Sequence, residues 1–568
     1  MRPLTEVELH YVDSEEQLAR FYDFLARNAG QQIAVDTETT GLQPFGPNRD
    51  HVRLVQFGTV DEGWAVPFNE GTKSLIGHAL DAFYLHARLV GHNAIFDQSF
   101  LQAEGLKTGP AWRCTYLEHC LLHPGSYHGL KAAAAEMVGR ECRTGERWLN
   151  VVKAKNGWDW ASVPLDHPAY WGYSALDTVL TARIAAQLDI TPFREQYERK
   201  VQVSHLGAGF ARHGLRIDMD YTERLVESWR AEQAELLAKL QQHAISNPAS
   251  SKQLIAALEN TGWEPEIFTE TGLPQVNRAV LEGIDHEVAG DVLRWRRVNK
   301  WAKSYGEPLL NSGGRVHPQV TACLGATGRW SVAAPPIQQI PRGPEVRRCF
   351  LPDEGKEFVA VDYDGQELRL IAAFAQDPEL TREILAGDVH GKVARVLWGE
   401  EYDKEKRSWT KNGIYAYSYG AAEEQMAKTT HRPVGEAEKA IKAALPGMVA
   451  FFNNVDKLGR KRRKEDGVAW AKTLGGRKVA APKSRMYALR NYLMQGSGAD
   501  ILDMALCRIE GAGLADRVLL PVHDELLLQV APGDSADQEI GRLMETEFRG
   551  VPFTTHVSER GQNWGDVA

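Results

Sequence analysis

The sequence predicts a multidomain chain of α/β and α+β character. Three observations carry this expectation. Short apolar runs of strand type end in acidic residues in both the first and last thirds. Helical spacing of apolar residues dominates the middle third. At 568 residues the chain is also too long for one core, since domains run to roughly 100–200 residues. No run of about 18 apolar residues is present, so no transmembrane helix is expected. Met1 to Glu6 lead into charged sequence without an apolar core, which argues against a signal peptide. The cysteines, Cys114, Cys120, Cys142, Cys323, Cys349 and Cys507, form no C-x-x-C pair. That spacing predicts a reduced intracellular protein without a zinc site.

In the first third, Ile33-Ala34-Val35 is a β-type run ending in acids, and Val52 to Phe57 alternates like a strand. Leu89 to Asn93 reads as a strand end and a turn, and Gly129 to Val138 as a helix. A boundary falls near Pro192, after a helix around Asp177 to Leu188. In the middle third, Leu225, Trp229, Leu236, Leu237 and Leu240 recur near helical spacing within Thr222 to Gln242. Asn247 to Ser251 is a turn with an N-cap ahead of Gln253 to Leu258, and Arg294 to Leu310 reads as a further helix. Pro335, Pro336 and Pro341 mark extended chain. Phe358 to Val361 is a buried-type strand ending at an aspartate, and Val518 to Val530 reads as two strands joined at an acidic turn.

The net charge of −9 speaks against a nucleic-acid binder, but distribution matters more than the sum. From Asp456 to Asn491, twelve Lys or Arg stand against three Asp or Glu, with Trp470, Tyr487 and the adjoining Tyr492. Such a stretch suits phosphate contact with base stacking. By composition alone it better suits a solvated helix face.

Two acidic constellations carry chemistry. Asp36 and Glu38 are two apart on a strand and so share a face. Two carboxylates side by side are costly unless a cation sits between them. Asp97 follows the Gly91–Phe96 turn, and Tyr173 and Asp177 are four apart on a helix. Four carboxylates and a phenol can hold two divalent ions, a pair suited to phosphodiester hydrolysis. The three pieces in this order resemble the DEDD exonuclease superfamily, in its tyrosine branch, over about residues 20–195. The resemblance implies an RNase H-like fold, metal binding by Asp36, Glu38, Asp97 and Asp177, and a water-orienting Tyr173. Cys114-Thr115 stands where the family often has Asp-Thr.

In the second constellation, Asp362 ends one strand and Asp524 sits at the acidic turn. Far apart in sequence, they can meet only by sheet pairing, and then form a second two-metal arrangement. Arg407, Lys411, Tyr415 and Tyr419 recur every four residues, a helical stripe of cations followed by aromatics. Phosphates suit the cations, and a sugar and base suit the rings.

These segments resemble family A DNA polymerases over about residues 200–568. Motif A is Asp362 to Arg369, motif B Arg407 to Gly420, and motif C Val522 to Glu525. Thr327 to Ser331, Gln338 to Pro341, Asp388 to His390, Gln495 to Asp500 and Gly561 to Trp564 fit in order. The resemblance implies a right-hand polymerase. Its domains would be a proofreading exonuclease domain at 1–195, a thumb with connecting helices at 196–320, and palm and fingers at 321–568. Fingers would cover 376–495, with palm at 321–375 and 496–568.

It further implies Asp362 and Asp524 as metal ligands, assisted by the Tyr363 carbonyl, with two Mg2+ or Mn2+ ions per site. Arg407, Lys411 and His390 would grip the incoming triphosphate, and Tyr415 would lie against its sugar. Glu367 would exclude a ribose 2′-hydroxyl. Tyr419 would stack at the templating position. Arg329, Gln338, Gln495, Asn491 and His523 would touch primer or template, with Glu525 supporting the site. Motif A departs from the usual Ser-Gln-Ile at Asp364-Gly365-Gln366, and Tyr487 stands where arginine is frequent. A tyrosine at position 415 goes, in the family, with acceptance of dideoxynucleotides.

The implied partners are primer–template DNA and deoxynucleoside triphosphates, without a membrane. The chain is expected to act as a monomer in the cytoplasm, the host's if phage-encoded. It starts at the exonuclease domain, which points to a compact replicase without a 5′-nuclease domain. A nuclease whose second half only binds nucleic acid and a replication scaffold are the rivals. Intact aspartates at both sites disfavour them.

Overall fold

The computed structural model describes residues 2–84, 89–109, 112–269, 271–323, 325–341 and 343–567. Strands β1 (Glu8–Tyr11), β2 (Ile33–Thr39), β3 (Val52–Gly58), β4 (Glu62–Pro67), β5 (Leu89–Gly91) and β6 (Arg113–Cys114) form one sheet, in the order β1-β4-β3-β2-β5-β6. β3 runs antiparallel to β2 and β4, and the other pairs are parallel. The alternation expected for Val52 to Phe57 is absent from its burial, because both faces of β3 are covered. Phe21 and Phe24 pack on Phe57 and Trp64 from one side. Four helices matter for the first site: α1 (Ala94–Ala103), α2 (Thr115–Leu122), α3 (Leu130–Met137) and α4 (Pro168–Ala185). α4 packs across β2, β3 and β4.

Helix α5 (Arg194–His213) carries the chain out of this sheet and into the next core, where Val203 and Phe210 join Trp330 and Val361. Its Lys200 is buried. Nζ meets Asp503 Oδ2 at 2.6 Å and the carbonyls of Ala322 and Gly328 at 3.1 Å. Trp330 Nε1 donates to the other Asp503 oxygen at 3.0 Å. A buried cation is tolerable only with such a full set of acceptors.

Helices α6 (Met219–Gln242) and α7 (Glu287–Trp301) pack together, and their far ends build a small separate core around Leu240, Leu258 and Val292. Ser250 caps the helix after the Asn247–Ser251 turn, as expected. The helix expected at Arg294 to Leu310 starts earlier, at Glu287. It continues through a π-helical turn, Ala302–Gly306, into Glu307–Leu310. Pro308 has no N–H to close the regular ladder. Gly306 lies so close to α6 that a Cβ there would fall 2.6 Å from Val226.

The last third centres on a second sheet. Its strands are β7 (Glu357–Tyr363), β8 (Val518–Val522), β9 (Glu525–Val530) and β10 (Thr555–Val557), in the antiparallel order β8-β9-β7-β10. Around it stand α8 (Gln366–Ala375), α9 (Val389–Trp398), α10 (Lys404–Ser418), α11 (Pro446–Asp466) and α12 (Ala488–Gly511). The stretch from Asp456 to Asn491 spans the end of α11, a hairpin and the start of α12. Two of its cations face inward. Arg477 pairs with Asp500 and donates to the Gly496 carbonyl at 2.8 Å, and Arg490 Nε donates to Asp456 at 3.0 Å. Lys457, Arg460, Lys461, Arg463, Lys464, Lys472, Lys483 and Arg485 are exposed. All six cysteines are free. Among the described residues, no helix is long and apolar enough to cross a membrane.

Candidate active sites

The first site lies where β2 runs out of the sheet. Asp36 and Glu38 are two residues apart on this strand, and a bulge follows at Glu38/Thr39. Asn93, at φ 68°, takes the left-handed turn that swings the chain from β5 into α1. That turn brings Asp97 to β2, where Thr37 Oγ1 donates to Asp97 Oδ1 at 2.7 Å. From the other side, α4 presents Tyr173 and Asp177 one turn apart, and Ser174 Oγ donates to Glu38 Oε1 at 3.0 Å. All five expected residues therefore gather in one place.

A residue that the motif reading missed stands among them. Lys131, near the start of α3, bonds Asp177 Oδ1 through Nζ and lies 4.2 Å from the Tyr173 ring centre. A lysine in the first turn of an Ala-rich helix opposes the helix dipole, and that local misfit was its signal in the sequence. Lys153 Nζ lies 3.4 Å from the Trp160 ring centre, and that ring is 6.1 Å from Tyr173.

The electrostatics are those of crowded, dehydrated acids. Burial pushes Asp36 up to about 7 against the pull of Lys131. Burial and then Asp36 push Glu38 up to about 8, and Asp97 also rises well above the carboxylate range. Burial drags Lys131 down to about 8, opposed by Asp36 and Glu38. A divalent cation would reverse these shifts, and an all-carboxylate donor set suits a hard one. Among the described residues, the His/Cys/Asp/Glu group whose ligand atoms all fall within 4.8 Å of one another is elsewhere, at His119, His123 and Glu136. The four acids stand more widely, with Lys131 between them. Burial, Glu38 and Asp36 hold Tyr173 firmly in its protonated form.

The second site is made by strand pairing. Val522 pairs with Glu525, so His523 and Asp524 form the two-residue turn between β8 and β9. His523 takes φ 61°, a costly conformation for a side chain of its size. β9 pairs with β7, and Asp362 faces Glu525. Asp362, far from Asp524 in sequence, thereby stands on the strand beside the turn that holds it. Tyr363 turns its side chain inward, its hydroxyl donating to the Met544 carbonyl at 2.7 Å. Asp364, the unusual motif A acid, is exposed and accepts from Thr554 Oγ1 at 2.8 Å.

Helix α10 carries Arg407, Lys411 and Tyr415 on successive turns. Tyr419 is the residue that caps this helix, so the four-residue stripe ends just past the last turn. Its ring centre is 6.4 Å from that of Tyr415, whose own is 6.2 Å from His390 on α9. Burial, Arg407 and Lys411 push His390 down to about 4, which leaves it neutral. His390 Nε2 and Asn491 Oδ1 are buried without a hydrogen-bond partner among the described residues. Arg407 Nη2 stands 3.8 Å from Asp388. Glu367, at the start of α8, accepts from the Tyr419 hydroxyl and lies 3.6 Å from Arg329 Nη2. Gln338 Nε2 donates to the Pro521 carbonyl at 3.1 Å, while Asn491 and Gln495 sit half-buried on α12.

Comparison with known proteins gives the same division. A sequence profile described as "DNA polymerase family A" matches residues 219–566, and one described as "3'-5' exonuclease" matches residues 9–190. A DNA polymerase of Mycobacterium phage D29 is 29% identical over 607 residues, covering 99% of this chain and 97% of its own. DNA polymerase I of Chloroflexus aurantiacus is 28% identical over 600 residues, covering 95% of this chain and 62% of its own. The solved POL domain of Pol1 from M. smegmatis, a complex with DNA primer–template and dNTP, shares the fold. Its TM-score is 0.74 at 20% identity, over 98% of this chain and 100% of that one. The chain belongs to DNA polymerase family A, as a DNA-directed DNA polymerase with an N-terminal 3′–5′ exonuclease domain.

Proposed function

We propose that both sites perform phosphoryl transfer on paired divalent cations, Mg2+ or Mn2+, with primer–template DNA and deoxynucleoside triphosphates as substrates. One observation carries the polymerase half: the β7–β9 pairing sets Asp362 beside the His523–Asp524 turn, and Tyr415 of α10 lies near enough to Asp524 for that charge to help raise its phenol. At this site Asp362, Asp524 and the Tyr363 carbonyl would hold the ions. Bound ions supply charge for the triphosphate and a lowered pKa for the primer hydroxyl. The 3′-hydroxyl attacks the α-phosphate in line, and pyrophosphate leaves. Arg407, Lys411 and neutral His390 receive the phosphates, with the free His390 Nε2 able to take up a phosphate contact. Tyr415 packs on the sugar and Glu367 closes the space beside its 2′ carbon. Tyr419, Arg329, Gln338, Asn491, Gln495 and His523 hold primer and template around the nascent pair, with Glu525 bracing Asp362 and Asp524.

At the exonuclease site, Asp36, Glu38, Asp97 and Asp177 would hold the ions. Tyr173, kept as a neutral phenol, orients water through its hydroxyl and cannot serve as a base. We read residues 1–195 as the exonuclease domain, 196–320 as thumb and connecting helices, and 321–568 as palm and fingers. One core drawn almost wholly from 1–195 and one drawn mainly from 321–568, to which α5 adds Val203, Leu206 and Phe210, support that division.

A primer with a mismatched 3′ end tests both halves together. The native chain should trim and then extend it. Asp524→Ala should trim without extending, and Asp36→Ala should lose trimming yet extend a matched primer. If either variant loses both activities, the two-site reading is wrong.

A further inference from the structure

Beside the proposed exonuclease site lies a second group of ligand-type side chains that neither reaction uses. His119 is in the last turn of α2, His123 caps that helix, and Glu136 is on α3. The i, i+4 spacing stacks the two imidazoles, with ring centres 4.7 Å apart. His123 Nδ1 is 3.7 Å from Glu136 Oε1, and His119 Nε2 is 4.0 Å from Glu136 Oε2. One ligand atom from each residue can be chosen so that all lie within 4.8 Å of one another.

His119 supplies the independent sign of a ligand. Its side chain is wholly buried, and Nε2 has no hydrogen-bond partner among the described residues. A buried ring nitrogen left bare is costly unless something occupies it. Its other nitrogen is fixed. Nδ1 lies 2.8 Å from His128 Nδ1, and the His128 carbonyl in turn lies 2.8 Å from His92 Nε2. Metal-bound histidines are oriented through a hydrogen bond on the second nitrogen, a part the His128 imidazole can play here as acceptor. Burial, with His128 and His123, pushes His119 down to about 3, so the ring is neutral as a ligand must be.

We propose that His119, His123 and Glu136 bind one zinc-class divalent ion, with water completing the coordination. Two imidazoles and a carboxylate select Zn2+ and its late first-row neighbours over Mg2+. Ligand atoms in a tetrahedral zinc site stand about 3.4 Å apart. The two His–Glu separations, 3.7 Å and 4.0 Å to different carboxylate oxygens, exceed this by a few tenths of an ångström, and with the remaining pair within 4.8 Å, rotation of the part-exposed His123 and of Glu136 draws the three together. The ion pins α2 to α3 across the turn at residues 123–129. The cysteine pattern gave no hint of it, because its donors are imidazoles.

Cobalt titration of the full chain tests the proposal. The protein is stripped with a chelator, returned to excess Mg2+ to fill the carboxylate sites, and titrated with Co2+. One equivalent should bind with the intense visible absorption of tetrahedral cobalt, and Zn2+ should displace it and raise Tm. His123→Ala and Glu136→Gln, both at part-exposed positions, should lose the band and the Tm gain. His128→Ala should weaken binding about 10–100-fold. The Asp36→Ala/Asp362→Ala variant should keep the band. The proposal is overturned if the native chain shows no tetrahedral band. Persistence of the band in His123→Ala and Glu136→Gln, or its loss in Asp36→Ala/Asp362→Ala, also overturns it.

Discussion

The Tyr419 hydroxyl donates to the Glu367 carboxylate, 2.8 Å from Oε1 and 2.7 Å from Oε2. The carboxylate is thus tethered to the end of α10, the helix that carries Arg407 and Lys411. Glu367→Ala should raise ribonucleotide incorporation about tenfold or more, the scale on which a pocket discriminates one small group. Tyr419→Phe leaves the carboxylate in place but untethered, so its increase should be smaller. Single-nucleotide insertion with matched ribo- and deoxynucleotides measures both. Unchanged selectivity in Glu367→Ala removes the gate.

Lys131 is the counter-charge of the proposed exonuclease site, at Asp177 and Tyr173. Lys131→Met should lower degradation of a 3′-labelled single strand about 10²-fold and leave extension of a matched primer unchanged. Equal losses in both assays would mean that the lysine holds the fold rather than the site.

Tyr415 packs near His390 on the face of α10 proposed for the triphosphate. If its hydroxyl replaces the hydrogen bond lost with a missing 3′-hydroxyl, Tyr415→Phe should cut dideoxynucleotide insertion about tenfold. That is the worth of one hydrogen bond of about 1.4 kcal/mol. Insertion of ordinary deoxynucleotides is the control.

Lys200 and Asp503 form a buried pair at 2.6 Å between α5 and α12. Lys200→Met strands a carboxylate, which burial already pushes up despite Lys200. The cost should be about 3–5 kcal/mol in urea unfolding. Lys200→Met/Asp503→Asn should recover part of it, because the amide oxygen can still accept from Trp330. No recovery would locate the loss in packing instead.

Asp353 provides a pH test at the end of the β7–β9 pair away from Asp362, where it meets Gln529. Burial alone would raise it, but Arg315 Nη2 at 2.6 Å and Gln529 at 2.9 Å win, and it falls to about 2. A depressed folded-state pKa stabilises the fold above the unfolded value of 3.8. That gain disappears as pH falls through about 2. Asp353→Asn should therefore cost about 1 kcal/mol at neutral pH, after solvent screening of a part-exposed group. The gap to the native chain should close progressively below pH 3.8. A gap independent of pH would assign the effect to hydrogen-bond geometry.

The residues proposed for the two sites were readable because each motif is local. Asp36-Thr37-Glu38, the Tyr173/Asp177 pair and the Arg407–Tyr419 stripe depend on strand and helix periods that sequence spacing expresses directly. Lys131 was not read in this way. It lies 46 residues from Asp177, and only α3 packing beside α4 brings the charge to the carboxylate. Arg477 and Arg490 counted as surface cations in the composition, whereas the fold spends both on internal aspartates. The π-helical turn at Ala302–Gly306 was likewise hidden, since it answers to the close approach of α6 as well as to Pro308.

By itself the amino-acid order determined which residues could do the chemistry, and the local element on which each would sit. The tertiary structure alone decided which of them meet: Asp362 with the Asp524 turn through antiparallel pairing, Lys131 with the exonuclease acids, and His119 with Glu136. The reason is physical. Periodicity is a property of neighbours along the chain, while charge pairing depends on distances that only packing fixes.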